Sequence, residues 1–416
     1  MALDAQGNWN VEMSQPLRLQ LQQVGEPPST IAAPPCSSLD GSTLNCGREI
    51  LLPSEIVAHI VSFLPRIGSQ GTLWACTLVS RVWYTSSIAL LYEHPYLDGS
   101  RFEAFVRTVC PSKNAHIKQS SLSVLVKSLD MSSLVHNSSR SQTARLLGRL
   151  KGNIVKFVAP QSSFAINSFA SLSKCSNLKV LNLSLISASI SLKILFQTLR
   201  SLQQLETLFF PRTSGSDQGS KTSFTTYPWP PKLKALHLAG GVDDMFMIHQ
   251  MRTVPDGLEK LSIQHCAQVH SYSLIPVLKH VGPKLRHLTI RYPMPHFDPG
   301  SLDTLLNICP KLVALRVSAD YISDDLLAVE KHPLRILDIE SSPAYMTNEV
   351  SLTAGRLYQT VEVGDLPDLR SVRITKKLGW KDTPTSQQDV YDLAEAMEDH
   401  DEEDPLGIPI GVWHCD

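Results

Sequence analysis

The feature that most restricts this chain is a short apolar motif, L-x-x-L-x-L or a close variant, that returns repeatedly between residues 126 and 374. Clear copies are LKVLNL (Leu178, Leu181, Leu183), LETLFF (Leu205, Leu208, Phe210), LKALHL (Leu233, Leu236, Leu238) and LEKLSI (Leu258, Leu261, Ile263). They continue as LRHLTI (Leu285, Leu288, Ile290), LVALRV (Leu312, Leu315, Val317), LRILDI (Leu334, Leu337, Ile339) and LRSVRI (Leu369, Val372, Ile374). Two weaker copies precede them, VKSLDM (Val126, Leu129, Met131) and IVKFVA (Ile154, Phe157, Ala159). Successive copies begin 22 to 28 residues apart, with a single gap of 35 at the end. A period of that length holds one short strand and one return segment. A single such unit cannot cover its own apolar face, so neighbours must stack into a solenoid.

The spacing sorts the side chains. Positions 1, 4 and 6 of each copy point inward, and helical returns are expected over Ser191–Ser201, Val242–Thr253, Ser271–Val281, Ser301–Cys309 and Ile322–Lys331. Three buried strand residues per repeat contribute roughly 5–9 kcal/mol as an upper bound. Chain ordering offsets most of that, so many repeats are needed, and about ten are present. Two stretches break the rhythm. Pro211–Pro231 reads as a projecting polar loop and Tyr292–Gly300 as a stiff Pro-containing connection.

Ahead of the repeats the chain changes character twice. Residues 1–47 are rich in Gln, Pro, Ser and Gly and have too little periodic apolar surface to repay ordering, so they are expected to be disordered. Residues 48–95 then read as three short helices. Pro53 stands near a helix start, Ile56, Ile60, Phe63 and Leu64 recur at helical spacing, and Pro65 and Gly68 end the first helix. Leu73, Cys76 and Val79 continue the apolar face, and Val82, Trp83, Ile88, Leu91 and Tyr92 form a third segment. So small a unit cannot bury all of this internally, and a partner is implied.

The run LPSEIVAHIVSFLP followed by L…C…LVSRVW resembles the F-box, and residues 120–375 resemble the repeats of F-box/leucine-rich-repeat proteins. Together the two resemblances span about three quarters of the chain. They imply an α/β solenoid: a three-helix F-box at 48–95, linker helices at 96–120, a curved leucine-rich-repeat horseshoe of about ten repeats at 121–380, and an acidic tail at 381–416. They also imply a non-catalytic substrate receptor of a Skp–cullin–F-box ubiquitin ligase, partnered by the Skp adaptor and through it by cullin and RING subunits. The residues matching the adaptor-docking positions are Leu52, Pro53, Ile56, Ile60, Leu64, Leu73, Cys76, Val79 and Trp83, while the resemblance implies that Val57, Phe63 and Leu78 hold the three helices together. The loop Arg66–Gly71 departs from the family in lacking an acidic residue. A scaffold with a non-ubiquitin protein-interaction role is the alternative reading.

Between the inward residues, positions 3, 5 and 7 of each motif face the concave side. Lys260, His287, Arg291, Arg316 and Arg373 fall there and suggest a basic stripe, interrupted by Asp338 and Glu340, for an acidic or phosphorylated client protein. From Asp382 onward the chain has eleven Asp or Glu and no Lys or Arg, leaving 38 basic against 28 acidic residues in the body. That tail, with its apolar ending PLGIPIGVW, suggests a return onto the basic concave side. No GxSxG, HExxH or P-loop motif occurs, and the eight cysteines form no CxxC pair, so no catalytic residue, cofactor or metal is expected. No apolar run reaches 18 residues and no basic start precedes a greasy one, so a cytoplasmic or nuclear protein without membrane contact is expected. Aromatic interleaving is sparse, which argues against nucleic acid as a partner.

Overall fold

The computed structural model describes residues 2–3, 9–10, 52–65, 68–111, 120–134, 140–212, 214–215, 225–346, 351–399 and 407–415. Most of the segment expected to be disordered, 1–47, lies outside the described residues. Its two described dipeptides, Ala2–Leu3 and Trp9–Asn10, pair with each other.

The ten copies of the motif build ten strands of one parallel sheet, to which Gly411–Cys415 adds an eleventh, all stacked in chain order. They are β1 (Ser128–Asp130), β2 (Lys156–Val158), β3 (Val180–Asn182), β4 (Thr207–Phe209), β5 (Ala235–Ala239) and β6 (Lys260–Gln264). Then come β7 (His287–Arg291), β8 (Ala314–Ser318), β9 (Ile336–Glu340), β10 (Ser371–Thr375) and β11 (Gly411–Cys415). In all ten motif copies positions 1, 4 and 6 are buried, from Val126, Leu129 and Met131 to Leu369, Val372 and Ile374. Their alternation fixes the register, because a one-residue slip would turn each row of leucines to solvent. The residue that opens each strand is locked the same way. The carbonyl of Lys127 accepts from the N–H groups of both Val155 and Lys156, and those of Val155, Lys179, Glu206, Lys234, Glu259, Arg286, Val313 and Arg335 repeat the pattern.

Four helices precede the sheet: α1 (Ser54–Ser62), α2 (Gln70–Val79), α3 (Arg81–Glu93) and α4 (Gly99–Val109). The returns supply α5 (Arg140–Leu150), α6 (Ile166–Leu172), α7 (Leu192–Leu199), α8 (Ser271–Val281), α9 (Leu305–Ile308), α10 (Ala354–Glu362) and α11 (Pro384–Asp399). α4 closes the N-terminal end of the solenoid: Phe102, Phe105, Val106 and Val109 belong to the same core as Leu129 and Met131. A backbone bond from Lys127 to the Glu93 carbonyl, 3.1 Å, ties the end of α3 to the first repeat.

Not every expected helix forms. Ser271–Val281 is helical as read, and Val242–Thr253 is helical from Asp244 but irregularly wound, with a π segment, Phe246–Gln250, followed by a 3-10 turn, Met251–Thr253. Trp229 is the reason. Its Nε1 donates to the Gln250 carbonyl at 3.1 Å, and the Gln250 amide exchanges two bonds with the backbone of Tyr227. The stretch Pro211–Pro231 therefore does not project throughout: Tyr227 and Trp229 pack on Phe196, while 213 and 216–224 lie outside the described residues. Ile322–Lys331 holds only a 3-10 turn, Asp324–Leu327, because its repeat is the shortest. Ser301–Cys309 keeps one helical turn, since Tyr292–Gly300 uses much of that return and buries Met294 and Phe297.

Aspartates stitch successive returns together. Asp303 accepts from the backbone N–H and hydroxyl of Ser323 at 2.7 and 2.5 Å, and Asp320 does the same for Ser342. Asp324 does so for Thr353.

The segment read as a tail carries a helix and a strand. α11 packs on α10 through buried Leu393 and Met397, and β11 adds to the sheet beside β10. Among the described residues no helix is long and apolar enough to cross a membrane.

Candidate functional site

Two surfaces stand out, one on the three N-terminal helices and one on the strand face of the solenoid.

α1 is apolar on both sides. Val57 and Val61 point inward and join Leu73 of α2 in a small core, against which Leu64, Trp83, Leu90 and Leu91 pack. Ile56, Ile60 and Phe63 recur at helical spacing on another face and stay in solvent, as does Leu52 before the helix. On α2, Trp74 and Leu78 are four residues apart and both exposed, and Val79 follows. α3 adds exposed Val82 and Tyr84, and the Ser80 hydroxyl caps it by accepting from the Trp83 N–H. Phe63 and Leu78 are 72% and 66% exposed, whereas Leu73 is 2% exposed.

That sorting revises the sequence reading. Leu73, expected at a docking surface, belongs to the internal core, while Phe63 and Leu78, expected inside, stand outside. Leu52, Pro53, Ile56, Ile60 and Val79 are exposed, and Leu64, Cys76 and Trp83 are half-buried. Trp74 was missed. Its exposed ring lines an open groove of about 440 Å³ with Leu91, Tyr96 and Phe105, and the Arg101 guanidinium lies 5.4 Å from the Tyr96 ring centre. The signal was available: Trp74 and Leu78 stand at i, i+4 on a face opposite to that of Leu73.

On the solenoid, the strand registers align one residue from each strand into a central row. From β3 to β11 it reads Asn182, Phe209, His237, Ser262, Thr289, Arg316, Asp338, Arg373 and Trp413. Phe209 and His237 stack at 4.1 Å and 5°. Ser262 and Thr289 form a small polar floor. The charged residues lie beyond it.

The expected basic stripe is an ion-pair network. Glu340 bridges two guanidinium groups, bonding Nε of Arg291 and, at 3.0 Å, Nη2 of Arg316. Nε of Arg316 also lies 3.7 Å from the Asp338 carboxylate, which Arg373 flanks across the register. Burial pushes the Asp338 carboxyl up, while Arg316 and then Arg373 pull it down. Three arginines thus face two carboxylates. Nη1 of Arg316 is buried without a hydrogen-bond acceptor. His287 is no cation here: burial, reinforced by Lys260 and Arg286, lowers it to about 4. Lys260 sits beside it in the register, half-buried.

One stretch of this face is apolar and occupied. Ala314 and Ile336 open β8 and β9 side by side, and Ile408, from the segment leading into β11, is buried against them. Among the described residues no group of three or more His, Cys, Asp or Glu is arranged to hold a metal ion.

No protein-family model matches the chain. It is 31% identical over 375 residues to F-box protein YDR306C of Saccharomyces cerevisiae, an alignment covering 85% of this chain and 75% of the relative. It is 28% identical over 354 residues to Protein pof5 of Schizosaccharomyces pombe, covering 84% and 95% of the two. Among solved structures, internalin C2 from Listeria monocytogenes aligns over 69% of this chain and 86% of its own at 14% identity, with a TM-score of 0.28. At that score the architecture rests on the strand ladder itself.

Proposed function

Because the chain belongs to the F-box/leucine-rich-repeat family, we propose that it is a non-catalytic substrate receptor of a Skp–cullin–F-box ubiquitin ligase. α1–α3 dock on the Skp adaptor, and the strand face of the solenoid holds the client protein. The observation that carries this reading is the outward apolar surface of α1–α3, with Ile56, Ile60, Phe63, Trp74, Leu78 and Val79 left in water by a unit whose own core is complete without them. Large apolar side chains buried at an interface supply most of its affinity. Leu52, Pro53, Leu64, Cys76 and Trp83 remain within reach of that surface, while Leu73 acts through the core that supports it.

The ion pairs refine the expected client chemistry. An acidic or phosphorylated segment would meet one net positive charge at Arg291, Arg316 and Arg373, not three.

The test is co-purification of the full chain with the Skp adaptor and cullin. Leu78→Glu combined with Ile60→Asp should abolish both without altering the thermal transition. Retention of the adaptor by that variant would refute the docking surface. Adaptor capture by the wild-type chain with no cullin would favour the non-ubiquitin scaffold instead.

A further inference from the structure

β11 differs from the strands before it. Its ladder to β10 is complete, Ser371 to Gly411 through Thr375 to Cys415, yet all five of its residues are half-buried or exposed. By contrast β10 buries Val372 and Ile374 fully. β11 is the edge of the sheet, held by backbone bonds from one side and by half-buried Ile410 and Val412 against the core.

Its strongest side-chain anchor lies elsewhere. Ile408, three residues before the first paired residue, is 5% exposed against Ala314 and Ile336. By register, Ala314, Ile336, Ser371 and Gly411 form one row, so the chain crosses the strand face from β8 to the far edge before turning into the ladder. Gly411 makes the turn at φ +143, with the Trp413 ring 3.4 Å from where a Cβ would stand. Along the same row His287 and Ser371 flank the aliphatic pair, so the seat is an apolar gap in a polar row.

We infer that the β10 edge and the Ala314/Ile336 seat form a peptide-binding site that the chain's own residues 407–415 occupy in cis. An extended client segment displaces them. The fitting ligand is an uncharged strand parallel to β10 with a branched aliphatic residue three positions before its first paired residue. Strand addition supplies affinity through the backbone and selectivity through the seat. An edge segment whose one fully buried side chain is Ile408 is the kind of element that opens locally, well below the global unfolding free energy. This rests on the proposed role of the strand face as the client surface.

The probe is a labelled peptide of residues 407–415, GIPIGVWHC with its cysteine blocked, titrated against the full chain. An occupied site weakens apparent affinity by the fraction of time it is free, so Ile408→Asp in the chain should bind the peptide about tenfold more tightly than wild type. The peptide carrying the same substitution should not bind. Equal weak binding by wild type and Ile408→Asp would overturn the inference. A concentration-dependent dimer in place of peptide binding would do so too, assigning the site to exchange between copies. Hydrogen exchange on the unaltered chain gives an independent reading: 411–415 should exchange about tenfold faster than 371–375, and equal protection would make β11 a permanent rung. None of these variants touches α1–α3, so adaptor capture reports separately on the ligase reading.

Discussion

The three-helix unit and the solenoid are made from similar side chains put to opposite use. In the solenoid, motif positions 1, 4 and 6 are sealed over ten successive copies, and what faces outward on the strand side is mostly polar, ion-paired or covered, with Phe209 and Trp413 as aromatic exceptions. In α1–α3, three residues form the fully buried core and a larger set of aliphatic and aromatic side chains stays in water. Repetition explains the contrast. A stacked repeat receives its cover from the next repeat, whereas a unit of three short helices runs out of chain before it runs out of apolar surface. Apolar character therefore predicts stability in one region and partnership in the other.

Substitutions can break or sharpen that contrast. Leu288→Ala, in the middle of the array, should cost about 2–5 kcal/mol in urea unfolding through lost burial and a cavity. A cost below 1 kcal/mol would mean that the repeats are loosely packed. Next comes pH. The folded state holds His287 at about 4 against 6.5 for the free group, so the unfolded chain binds the proton first. Stability from this residue is whole above about pH 6.5 and is lost as pH falls toward 4, by up to about 3 kcal/mol. The difference between wild type and His287→Gln across that window should show this slope, and parallel curves would remove it.

Glu340→Ala should cost about 2–3 kcal/mol in thermal unfolding, because it strips Arg291 and Arg316 of their shared acceptor in a half-buried site. Asp303→Ala should cost about 1–2 kcal/mol by releasing the Ser323 N–H and hydroxyl. Leu78→Ala is the smallest, within about 0.5 kcal/mol of wild type when no partner is present. A large loss there would place Leu78 in the fold and erase the distinction between the two regions.

The sequence makes the solenoid legible because its signal is periodic and redundant. An error at one motif leaves nine others to hold the strand register. The returns are less legible, since each is settled by a single competitor for hydrogen bonds. Nothing in Val242–Thr253 announces that Trp229, more than a dozen residues earlier, will take the Gln250 carbonyl. The docking residues are legible as a set but not as sides of a helix. In α1, Ile56 and Val57 are adjacent aliphatic residues, and only packing against α2 and α3 decides which one turns inward. The pairing within the basic stripe is hidden for a related reason. Arg291 and Glu340 are 49 residues apart in the chain, and a list of strand-face residues does not reveal that one carboxylate reaches two guanidinium groups. The return of the C-terminal segment is expected from its charge and from its apolar ending PLGIPIGVW, and the described contact belongs to that ending, with Ile408 on Ala314 and Ile336.

The weld between the helical unit and the first repeat has a geometric consequence. The Glu93 carbonyl and carboxylate both hold Lys127, and Tyr92 of α3 packs against the core that α4 shares with β1, so the end of α3 is tied to the first repeat. With eleven strands about 4.8 Å apart, rung number becomes a ruler measured from the N-terminal helices. A protein gripped at β4 and one gripped at β10 would be presented about 29 Å apart along the same sheet. Under the proposed role, the choice of rung would then select which lysines of the cargo come within range.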